Sequence, residues 1–474
     1  MALFVSKNLF RSETEPLLAL KTFSARLSLI VVIGFIVRMA YLLIVVADNP
    51  LSGDSASYHL TANLFADGMG FTEPFRHLFG AIDQIKTAGI KTEIITPIGH
   101  IEPTAGHPPL WTLFLGMVSF LGGTSIFEHQ IASVFIGSTS IIFAGLAGRK
   151  LCSERVGLIS AFLTATYPFI WINDGLLAAE TISITATAAT ILVGLKFTES
   201  PDNHKSFLLG ITVGLAALCR AELLLYLLFV PLIPLIRSQL SWKKAFSRIT
   251  LVLLSALLIM SPWIIRNILT FKETAFLSNG AGTVLVQANC DRTYYGNDLG
   301  YWNISCGQPA PYGINGELLD ESERDKVVRS RALTYIGNNQ DRLITTVIPA
   351  RIGRTWSIYK PIQQLRLDTL VDRRPFNVSV LGLIQYYSMV PFALAGLLIS
   401  WRRRLPVTVI AIWIPIATLT SVLTFGNIRY RSTAEISLIL LTAVTLNALT
   451  KNLSFQRFNK LCKTPYKQLP GGSS

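Results

Sequence analysis

A short polar segment, GDSASYH, follows directly on the first long apolar run of the chain and presents Asp54, Tyr58 and His59. A carboxylate at a water boundary can accept a proton from a hydroxyl group, and a nearby phenol or imidazole can orient the same substrate. Asp54 alone could equally be a helix cap or a turn residue. The helical spacing of Tyr58, Ala62 and Phe65 predicts a short surface helix that carries the acidic residue at its N-terminus.

A second acidic segment, NDGLLAAETISI, places Asp174 and Glu180 at the start of another apolar run. Small Thr, Ser and Ala residues follow Glu180, and this composition favours close packing of membrane helices. Ionisable groups near a bilayer are costly and therefore often functional. We predict Asp54 and Glu180 as the catalytic residues of one site.

Cationic side chains also occur near the ends of apolar runs. Carboxylates combined with Arg and His suit an acceptor hydroxyl beside an anionic phosphate. Arg266 could instead snorkel from the end of a span. Arg220 and Glu222 could pair only with each other, although they are too close in sequence to face each other on one helix. The predicted substrate-binding residues are Tyr58, His59, His107, Arg220, Arg266, Arg429 and Arg431.

The composition is typical of a polytopic α-helical membrane protein. Of the 474 residues, 51% are hydrophobic and only 15% are charged, and apolar runs of spanning length recur. These runs are continuous, unlike the short alternating strands of a membrane β-barrel. Much of the excess in the net charge of +14 lies in short connections, where it indicates topology and attraction to anionic lipid. The lipid bilayer is therefore an expected partner, and nucleic acid is not.

The fold class predicted is all-α, with about ten transmembrane helices. Basic residues cluster in alternate connections, so the positive-inside rule places the N- and C-termini in the cytoplasm. The first apolar run is long and lacks a small-residue cleavage site, which predicts a retained span in a multi-pass protein of the plasma membrane. The predicted spans are 27–47, 129–147, 156–172, 177–197, two short spans within 207–236 separated near 220–222, 249–265, 380–399, 407–423 and 432–449.

Two long connections then face outward. The predicted organisation comprises a membrane domain, 1–266, whose first extracytoplasmic loop, 48–128, carries Asp54; an extracytoplasmic loop, 267–379; C-terminal membrane helices, 380–450; and a cytoplasmic tail, 451–474. Within the first loop, HPPLWTLFLGMVSFLGG at 107–123 is short for a span. We expect an interfacial helix there, lying along the outer leaflet and started by Pro108 and Pro109.

The second outer loop contains Cys290 and Cys306 in NCDRTYYGNDLGYWNISCG. An outer compartment is oxidising, so we expect a local, stabilising disulfide between them. No His accompanies the pair, which argues against a metal site there. No set of residues elsewhere demands a metal, so no cofactor is required, although carboxylates near a phosphate would also suit a divalent metal.

The order of these segments resembles the GT-C superfamily of integral-membrane glycosyltransferases, in particular the bacterial branch related to protein O-mannosyltransferases and lipid A aminoarabinose transferases. The matching segments extend from about residue 25 to 450 and are GDSASYH, HPPLW, LLAAETISI, RN at 266–267 and RYR at 429–431. The resemblance implies an outward-facing active site and a sugar donor linked to polyprenyl phosphate.

The resemblance also implies roles for individual residues. Asp54 resembles the family's catalytic Asp, which would deprotonate or orient the acceptor with inversion at the anomeric carbon, and Glu180 resembles the second acidic position. Arg220 and Arg266 are similar in position to residues that neutralise the leaving polyprenyl phosphate. The O-mannosyltransferase pattern has two adjacent acids, whereas Ser55 follows Asp54 here. This departure argues against mannose and against a protein acceptor, so among envelope glycan, lipid and protein acceptors a glycan or lipid is favoured.

Other classes of function remain open on the residues alone. No Gly-rich nucleotide-binding fingerprint is evident, which agrees with a lipid-carried sugar. The alternative is a transporter or flippase of a lipid-linked saccharide, although no internal repeat of the transporter type is evident. A non-catalytic envelope assembly protein is a third interpretation, and the retained Asp54, Glu180 and arginine set argues against it.

Overall fold

The computed structural model describes residues 22–47, 49–87, 90–229, 241–307 and 318–450. This part of the chain is overwhelmingly helical, with long apolar helices joined by short connections and two long loops. The prediction of an all-α polytopic membrane protein is therefore confirmed. The predicted cytoplasmic tail, 451–474, and the end of the apolar block 207–236 lie outside the described residues.

The long helices form because apolar runs satisfy their own backbone hydrogen bonds in a bilayer and begin at polar caps. The Thr22 hydroxyl caps the first helix, and Ser125 and Glu128 form a reciprocal capping box at the start of another. The helices of the bundle are α1 (Phe23–Tyr41, continued by a π-helical turn, Leu42–Val46), α5 (Ile126–Leu151), α6 (Glu154–Thr166), α7 (Pro168–Trp171), α8 (Glu180–Glu199), α9 (Asn203–Cys219), α11 (Trp242–Thr270), α18 (Phe376–Arg402), α19 (Val407–Ala411), α20 (Trp413–Leu423) and α21 (Ile428–Leu449).

The number of spans differs from the ten predicted. Within the described residues, six helices are long and apolar enough to cross a membrane, and a seventh span results if a pair of helices bent by 62° near Pro168 counts as one. Proline cannot donate the backbone hydrogen bond that a straight helix requires, so the predicted span 156–172 is broken. The predicted span 407–423 consists of short helices, and α9 is only 17 residues long. A count of ten is therefore not confirmed.

The outer loops hold shorter elements. The remaining helices are α2 (Gly53–Ala66), α3 (Pro74–Phe79), α4 (Leu110–Phe120), α10 (Tyr226–Phe229), α12 (Ala281–Ala288), α13 (Asp291–Tyr294), α14 (Glu321–Asn338), α15 (Gln340–Arg342), α16 (Ile348–Thr355) and α17 (Pro361–Val371). An antiparallel hairpin was not predicted: β1 (Ala81–Thr87) pairs with β2 (Ile90–Thr96), Ala81 opposite Thr96.

The predicted interfacial helix is present as α4, with Pro109 at its N-cap. One face packs inward through Trp111 and Leu115, which are fully buried. Met117 and Phe120 on the opposite side are exposed. Exposed apolar side chains of this kind suit contact with lipid at a membrane surface, and the placement of α4 along the outer leaflet stays a prediction.

Small residues allow the bundle helices to approach closely. A Cβ atom on Gly210 of α9 would lie 1.9 Å from the Ser255 hydroxyl oxygen of α11, and one on Gly396 of α18 would lie 2.0 Å from the Leu441 carbonyl oxygen of α21. Such contacts exclude any larger side chain and fix the helices against one another. The bundle is thus a rigid support for the polar groups at its ends.

The predicted sidedness can be tested with single cysteines at two exposed serines, Ser330 in α14 and Ser200 after α8. We expect a membrane-impermeant maleimide to label the Ser330→Cys protein in intact cells, because residues 267–379 are predicted to face outward. The Ser200→Cys protein should react only after the membrane is permeabilised. Wild-type protein supplies the background from native cysteines, and the reverse pattern of labelling would contradict the topology.

Candidate active site

Arg429, in the first turn of α21, binds three carboxylates from distant parts of the chain. Its Nε donates to Glu180 Oε1 at 2.7 Å, its Nη1 to Asp372 Oδ1 at 3.1 Å and its Nη2 to Asp54 Oδ2 at 3.0 Å. The Asn427 side chain caps the helix by accepting from the Arg429 backbone N–H. The arginine therefore joins the ends of α2, α8, α17 and α21.

Glu180, the first residue of α8, is shared by two arginines. Its Oε1 accepts from Arg429 and also from Arg220 Nη1 at 2.5 Å, and its side chain is fully buried. Helix N-termini favour negative charge, which adds to the stabilisation of this carboxylate. Glu180 Oε2 is buried without a hydrogen-bond partner among the described residues.

Arg220 also pairs with Glu222, through Nε to Oε1 at 2.5 Å. The sequence argument that these residues cannot face each other concerned a single continuous helix, and they do not lie on one. Helix α9 ends at Cys219, Arg220 is extended, and a 3-10 helix begins at Ala221. The geometric limit for a continuous α-helix therefore does not apply at this break.

Asp54 is the most accessible carboxylate of the group. It lies in the first turn of α2, as the sequence predicts, and 45% of its side chain is exposed. It lines a small cleft, with a water-accessible volume of about 10 Å³, together with Asp372, Arg374 and Arg429. A substrate in this cleft could reach its carboxylate oxygens.

The surroundings of Asp54 favour its ionised form. Desolvation opposes ionisation, but the charge and hydrogen bond of Arg429 outweigh it and hold the pKa of Asp54 below its usual value. Burial lowers the pKa of His107 and keeps that imidazole neutral, although Asp54 acts in the opposite direction. The Tyr58 ring lies 4.7 Å from the His107 ring. The site thus combines an ionised carboxylate with a neutral imidazole and a phenol.

Two further carboxyl groups near Arg429 belong to Asp368 in α17 and to Asp372 directly after it. Burial and the charge of Asp372, acting against the charge of Arg374, together raise the pKa of Asp368 to about 7. Desolvation also raises the pKa of Asp372, against the charges of Arg429 and Arg374. Gln364 Nε2 donates to Asp368 Oδ1 at 2.8 Å. A proton is therefore held near this pair in neutral solution.

The structure places His59 away from the Asp54 cleft. Its Nδ1 lies 3.0 Å from His129 Nδ1, and His129 Nε2 lies 2.9 Å from the Ser119 hydroxyl. This polar chain links α2 to α4 and α5. His59 therefore contacts other helices and not the group that Arg429 assembles.

Arg266 and Arg431 also lie in other surroundings. Arg266 donates to the backbone oxygens of Thr104 and Phe71 and stacks near aromatic rings. Arg431 is fully buried and pairs with Glu435 at 2.6 Å. Neither residue contacts Asp54 or Glu180, so their predicted roles in substrate binding receive no support from contacts.

Asp174 lies in a separate buried ion pair, with its Oδ2 2.8 Å from Arg38 Nε. The Thr181 hydroxyl donates to the other carboxylate oxygen at 2.9 Å. In the second outer loop, Cys290 and Cys306 form a disulfide with a Cα–Cα distance of 6.1 Å. These contacts stabilise the bundle and the loop without reaching the cleft.

Asp372 and Arg374 are residues of the site that the sequence analysis did not single out. They lie in VDRRPF, where the second outer loop meets α18. A useful signal was available: Arg373 and Arg374 are cations on the predicted outer side, against the positive-inside bias. The same reasoning had identified Arg429.

No group of three or more His, Cys, Asp or Glu side chains in the described ranges is arranged to hold a metal ion. The carboxylates of the cleft are instead engaged by arginines, as the contacts of Asp54, Glu180 and Asp372 with Arg429 illustrate. The residues present therefore suit an anionic or hydroxyl-bearing ligand better than a resident cation.

The chain is similar to several known proteins. Residues 106–265 match the family model described as dolichyl-phosphate-mannose-protein mannosyltransferase. The undecaprenyl phosphate-alpha-4-amino-4-deoxy-L-arabinose arabinosyl transferase of Pseudomonas aeruginosa strain UCBPP-PA14 is 27% identical over 168 residues, which cover 34% of this chain and 30% of that enzyme. The match thus spans less than a third of the relative's length. The residues that match the family model, 106–265, include Glu180 and Arg220.

The fold is similar to that of the apo oligosaccharyltransferase of Archaeoglobus fulgidus, with a TM-score of 0.53 and 13% identity; 94% of this chain and 53% of that chain are covered. The same archaeal enzyme in complex with an inhibitory peptide and a dolichol-phosphate gives a TM-score of 0.53 at 14% identity, with 94% and 52% covered. At these identities, the likeness concerns the fold.

Replacing Arg429 with Leu should lower thermal stability strongly, because it leaves three carboxylates without their common cation. Removal of one partner from a buried ion pair typically costs about 3–5 kcal/mol. The melting temperature of purified protein in detergent measures the effect. Adding Glu180→Gln should recover part of the loss, since one uncompensated charge disappears; no recovery would argue against a shared ion-pair network.

The Asp368→Asn protein should differ from wild type in how its stability depends on pH. A carboxyl group whose pKa is raised on folding contributes stability below its unfolded pKa, and this contribution is lost as pH rises through about 7. Wild type should therefore lose melting temperature between pH 5 and pH 8, and the variant should lose less. Asp67→Asn, at the exposed end of α2, serves as control. Parallel curves for wild type and Asp368→Asn would refute the assignment.

Proposed function

We propose that this chain is a membrane glycosyltransferase of the GT-C type. The match of residues 106–265 to the mannosyltransferase family model and the similarity of the fold to an oligosaccharyltransferase support this proposal. The proposed donor is a sugar linked to polyprenyl phosphate, and the proposed acceptor belongs to the cell envelope. The reaction takes place on the extracytoplasmic face, with both termini in the cytoplasm.

The observation that carries this proposal is the exposure and ionisation of the Asp54 carboxyl group. Its carboxylate is partly exposed in a cleft, and Arg429 both orients it and favours its ionised form. A fixed, ionised carboxylate beside an open space is the arrangement that a general base requires. The neutral imidazole of His107 can share in binding the acceptor hydroxyl.

In the proposed reaction, an acceptor hydroxyl oxygen attacks the anomeric carbon of the sugar. Its proton passes to Asp54, and the bond between the anomeric carbon and the phosphate oxygen breaks. The bonding electrons remain on the phosphate, which leaves as polyprenyl phosphate, and the configuration at the anomeric carbon inverts. Glu180 holds Arg220 and Arg429 in place, and positive groups around the cleft stabilise the developing negative charge.

The class of donor is supported by the names of the relatives. The matching family model is named for dolichyl-phosphate-mannose, and the Pseudomonas enzyme is named for undecaprenyl phosphate-linked aminoarabinose. Both are sugars carried on a polyprenyl phosphate, although the two sugars differ. A lipid carrier would also explain how an activated sugar reaches the outer face, and no Gly-rich nucleotide-binding fingerprint is evident in the sequence.

The acceptor is proposed to be an envelope glycan or lipid in preference to a protein. Ser55 follows Asp54 at the position where the O-mannosyltransferase pattern has a second acid, and the Ser55 hydroxyl donates to the Leu176 backbone oxygen. We propose that no cofactor is required, because arginines can neutralise the leaving phosphate. A divalent metal could still enter the site bound to the phosphate of the substrate.

Asp54→Asn should abolish sugar transfer while the protein remains folded, because asparagine cannot accept the acceptor proton. We expect at least about a 100-fold loss of rate, the lower range for a general base. The measurement uses purified protein in liposomes, a panel of polyprenyl-phosphate sugars and an envelope extract as acceptor. Asp67→Asn, on the same helix, should transfer sugar at the wild-type rate.

Two outcomes would contradict the proposal. Equal turnover by wild type and Asp54→Asn would remove Asp54 from the role of base. Movement of a lipid-linked saccharide across the liposome membrane, unchanged in Asp54→Asn and without any transfer, would favour a transporter or flippase.

A further inference from the structure

The backbone that leads into His107 is held by a carboxylate from the second outer loop. Residues 104–106 belong to no helix or strand. Glu321, the first residue of α14, binds this segment with both of its oxygens. Its Oε1 accepts from the Thr104 hydroxyl at 2.9 Å, and its Oε2 accepts from the Ala105 backbone N–H at 2.6 Å. The two outer loops are therefore joined directly before His107.

Further hydrogen bonds hold the 104–106 segment from other sides. The Thr104 hydroxyl accepts from the Gly106 N–H at 3.1 Å, and the Asn279 N–H donates to the Ala105 backbone oxygen at 2.8 Å. Arg266 Nη1 donates to the Thr104 backbone oxygen at 3.0 Å. The path of this segment is thus fixed by side chains and backbone groups from α11, α14 and the loop between them.

The backbone is also fixed on the other side of His107. Pro108 and Pro109 follow it, and the proline rings restrict both their own φ angles and the conformation of the residue before each of them. Helix α4 begins directly afterwards, and Trp111 Nε1 donates to the Leu177 backbone oxygen at 3.0 Å. His107 therefore lies between two anchored stretches of chain.

The His107 ring itself is held less firmly than its backbone. It lies 4.7 Å from the Tyr58 ring, and its nitrogens form no hydrogen bond to any part of the chain that the structure describes. Asp54 opposes the lowering of the His107 pKa by burial, so the two side chains are close. The place of the ring beside Asp54 consequently depends on the anchored backbone.

A carboxylate suits this contact because it accepts hydrogen bonds at both oxygens, whereas an amide accepts at only one. The groups that donate to Glu321 are neutral, and Asn279 Nδ2 is the third of them, at 3.2 Å from Oε2. Burial raises the pKa of Glu321, while these hydrogen bonds and the charge of Arg324 act in the opposite direction. Glutamine at this position would keep the shape and lose part of the hold on the segment.

We propose that Glu321 is a positioning residue that acts through the 104–106 segment to place His107 for binding of the acceptor hydroxyl. The inference rests on the proposed function, because that function gives His107 its role. Glu321 itself makes and breaks no bond in the reaction. Arg266 shares the same task through its contact with Thr104.

The first test does not depend on sugar transfer. It measures carbethoxylation of His107 by diethyl pyrocarbonate in purified full-length protein, with the modified peptides identified by mass spectrometry. Glu321→Gln should raise the rate at His107 at least about threefold, because a released segment opens more often to the reagent. His204, which is exposed at the start of α9, serves as the internal reference.

Glu323→Gln is the matched control, since it makes the same change two residues further along α14. Glu323 Oε2 accepts from the Asp320 N–H at 3.0 Å and from Lys272 Nζ at 3.1 Å, within the capping box of the helix. This variant should lower the melting temperature without reaching the 104–106 segment. Its rate of His107 modification should stay within about twofold of wild type.

The second test separates KM for the acceptor from KM for the donor in the transfer assay. Glu321→Gln should raise KM for the acceptor about fivefold, as expected from a lost hydrogen bond, and leave KM for the donor unchanged. In a His107→Ala background, the same substitution should have no further effect on KM, since a residue that acts through His107 has nothing left to position.

Thr104→Val covers the case in which Glu321→Gln does not fold. Valine keeps the shape of the side chain but removes the hydroxyl that donates to Glu321. This variant should change His107 modification and KM for the acceptor in the same direction.

The outcomes separate the two proposals. Unchanged modification of His107 in a folded Glu321→Gln protein would overturn this inference and leave the proposed function intact. A rise in KM for the acceptor that persists in the His107→Ala background would also overturn it, because Glu321 would then act by another route. If wild type transfers no sugar, the proposed function and the acceptor role of His107 fail together, and the modification rates still decide whether Glu321 holds the segment.

Discussion

The contact of Arg429 with three carboxylates organises the outer end of the helix bundle. Asp54, Glu180 and Asp372 come from α2, α8 and the end of α17, and one guanidinium holds them together. Removing charged groups from water costs several kcal/mol for each ion, and mutual attraction repays it only when the geometry is good. The segments that carry these residues therefore cannot shift independently. The position of Asp54 in its cleft follows from this shared constraint.

Such an arrangement is better explained by chemistry than by stability. Hydrophobic side chains of similar volume often stabilise a fold as well as a buried ion network does. The polar network instead leaves Asp54 partly exposed and ionised, with a neutral imidazole nearby. Other buried ion pairs, such as Arg38 with Asp174, are closed to solvent and fit a role in holding helices together. The Arg429 network differs from the closed ion pairs because one of its carboxylates, that of Asp54, is accessible to solvent.

Helical phase explains why the sequence predicted part of this site. Asp54 and Tyr58 are four residues apart and lie on one side of α2, whereas His59 is rotated a further 100° and meets His129. Arg429 and Arg431 are two residues apart on one helix and point to nearly opposite sides, which explains their different partners. The phase of each helix would therefore have separated Tyr58 from His59 and Arg429 from Arg431 among the predicted substrate-binding residues.

The rest depended partly on tertiary contacts, which a single sequence does not show. Asp372 and Arg374 follow a long loop whose path is set by tertiary contacts and not by any local periodicity. The number of spans likewise depended on where prolines and short helices interrupt apolar runs. Apolar length predicted the membrane class securely, because it reflects a requirement of the bilayer that holds for every span.

The separation of the paired residues in sequence bears on how the protein is made. Asp54 and Glu180 precede Arg429 by 375 and 249 residues. During synthesis, these acids enter the membrane region long before their counter-ion exists, and Arg220 is the first cation available to Glu180. Helix α21 therefore supplies the counter-ion for acids that were synthesised much earlier. Asp54 and Glu180 can pair with Arg429 only after α21 has been inserted, so this charge pairing depends on its arrival.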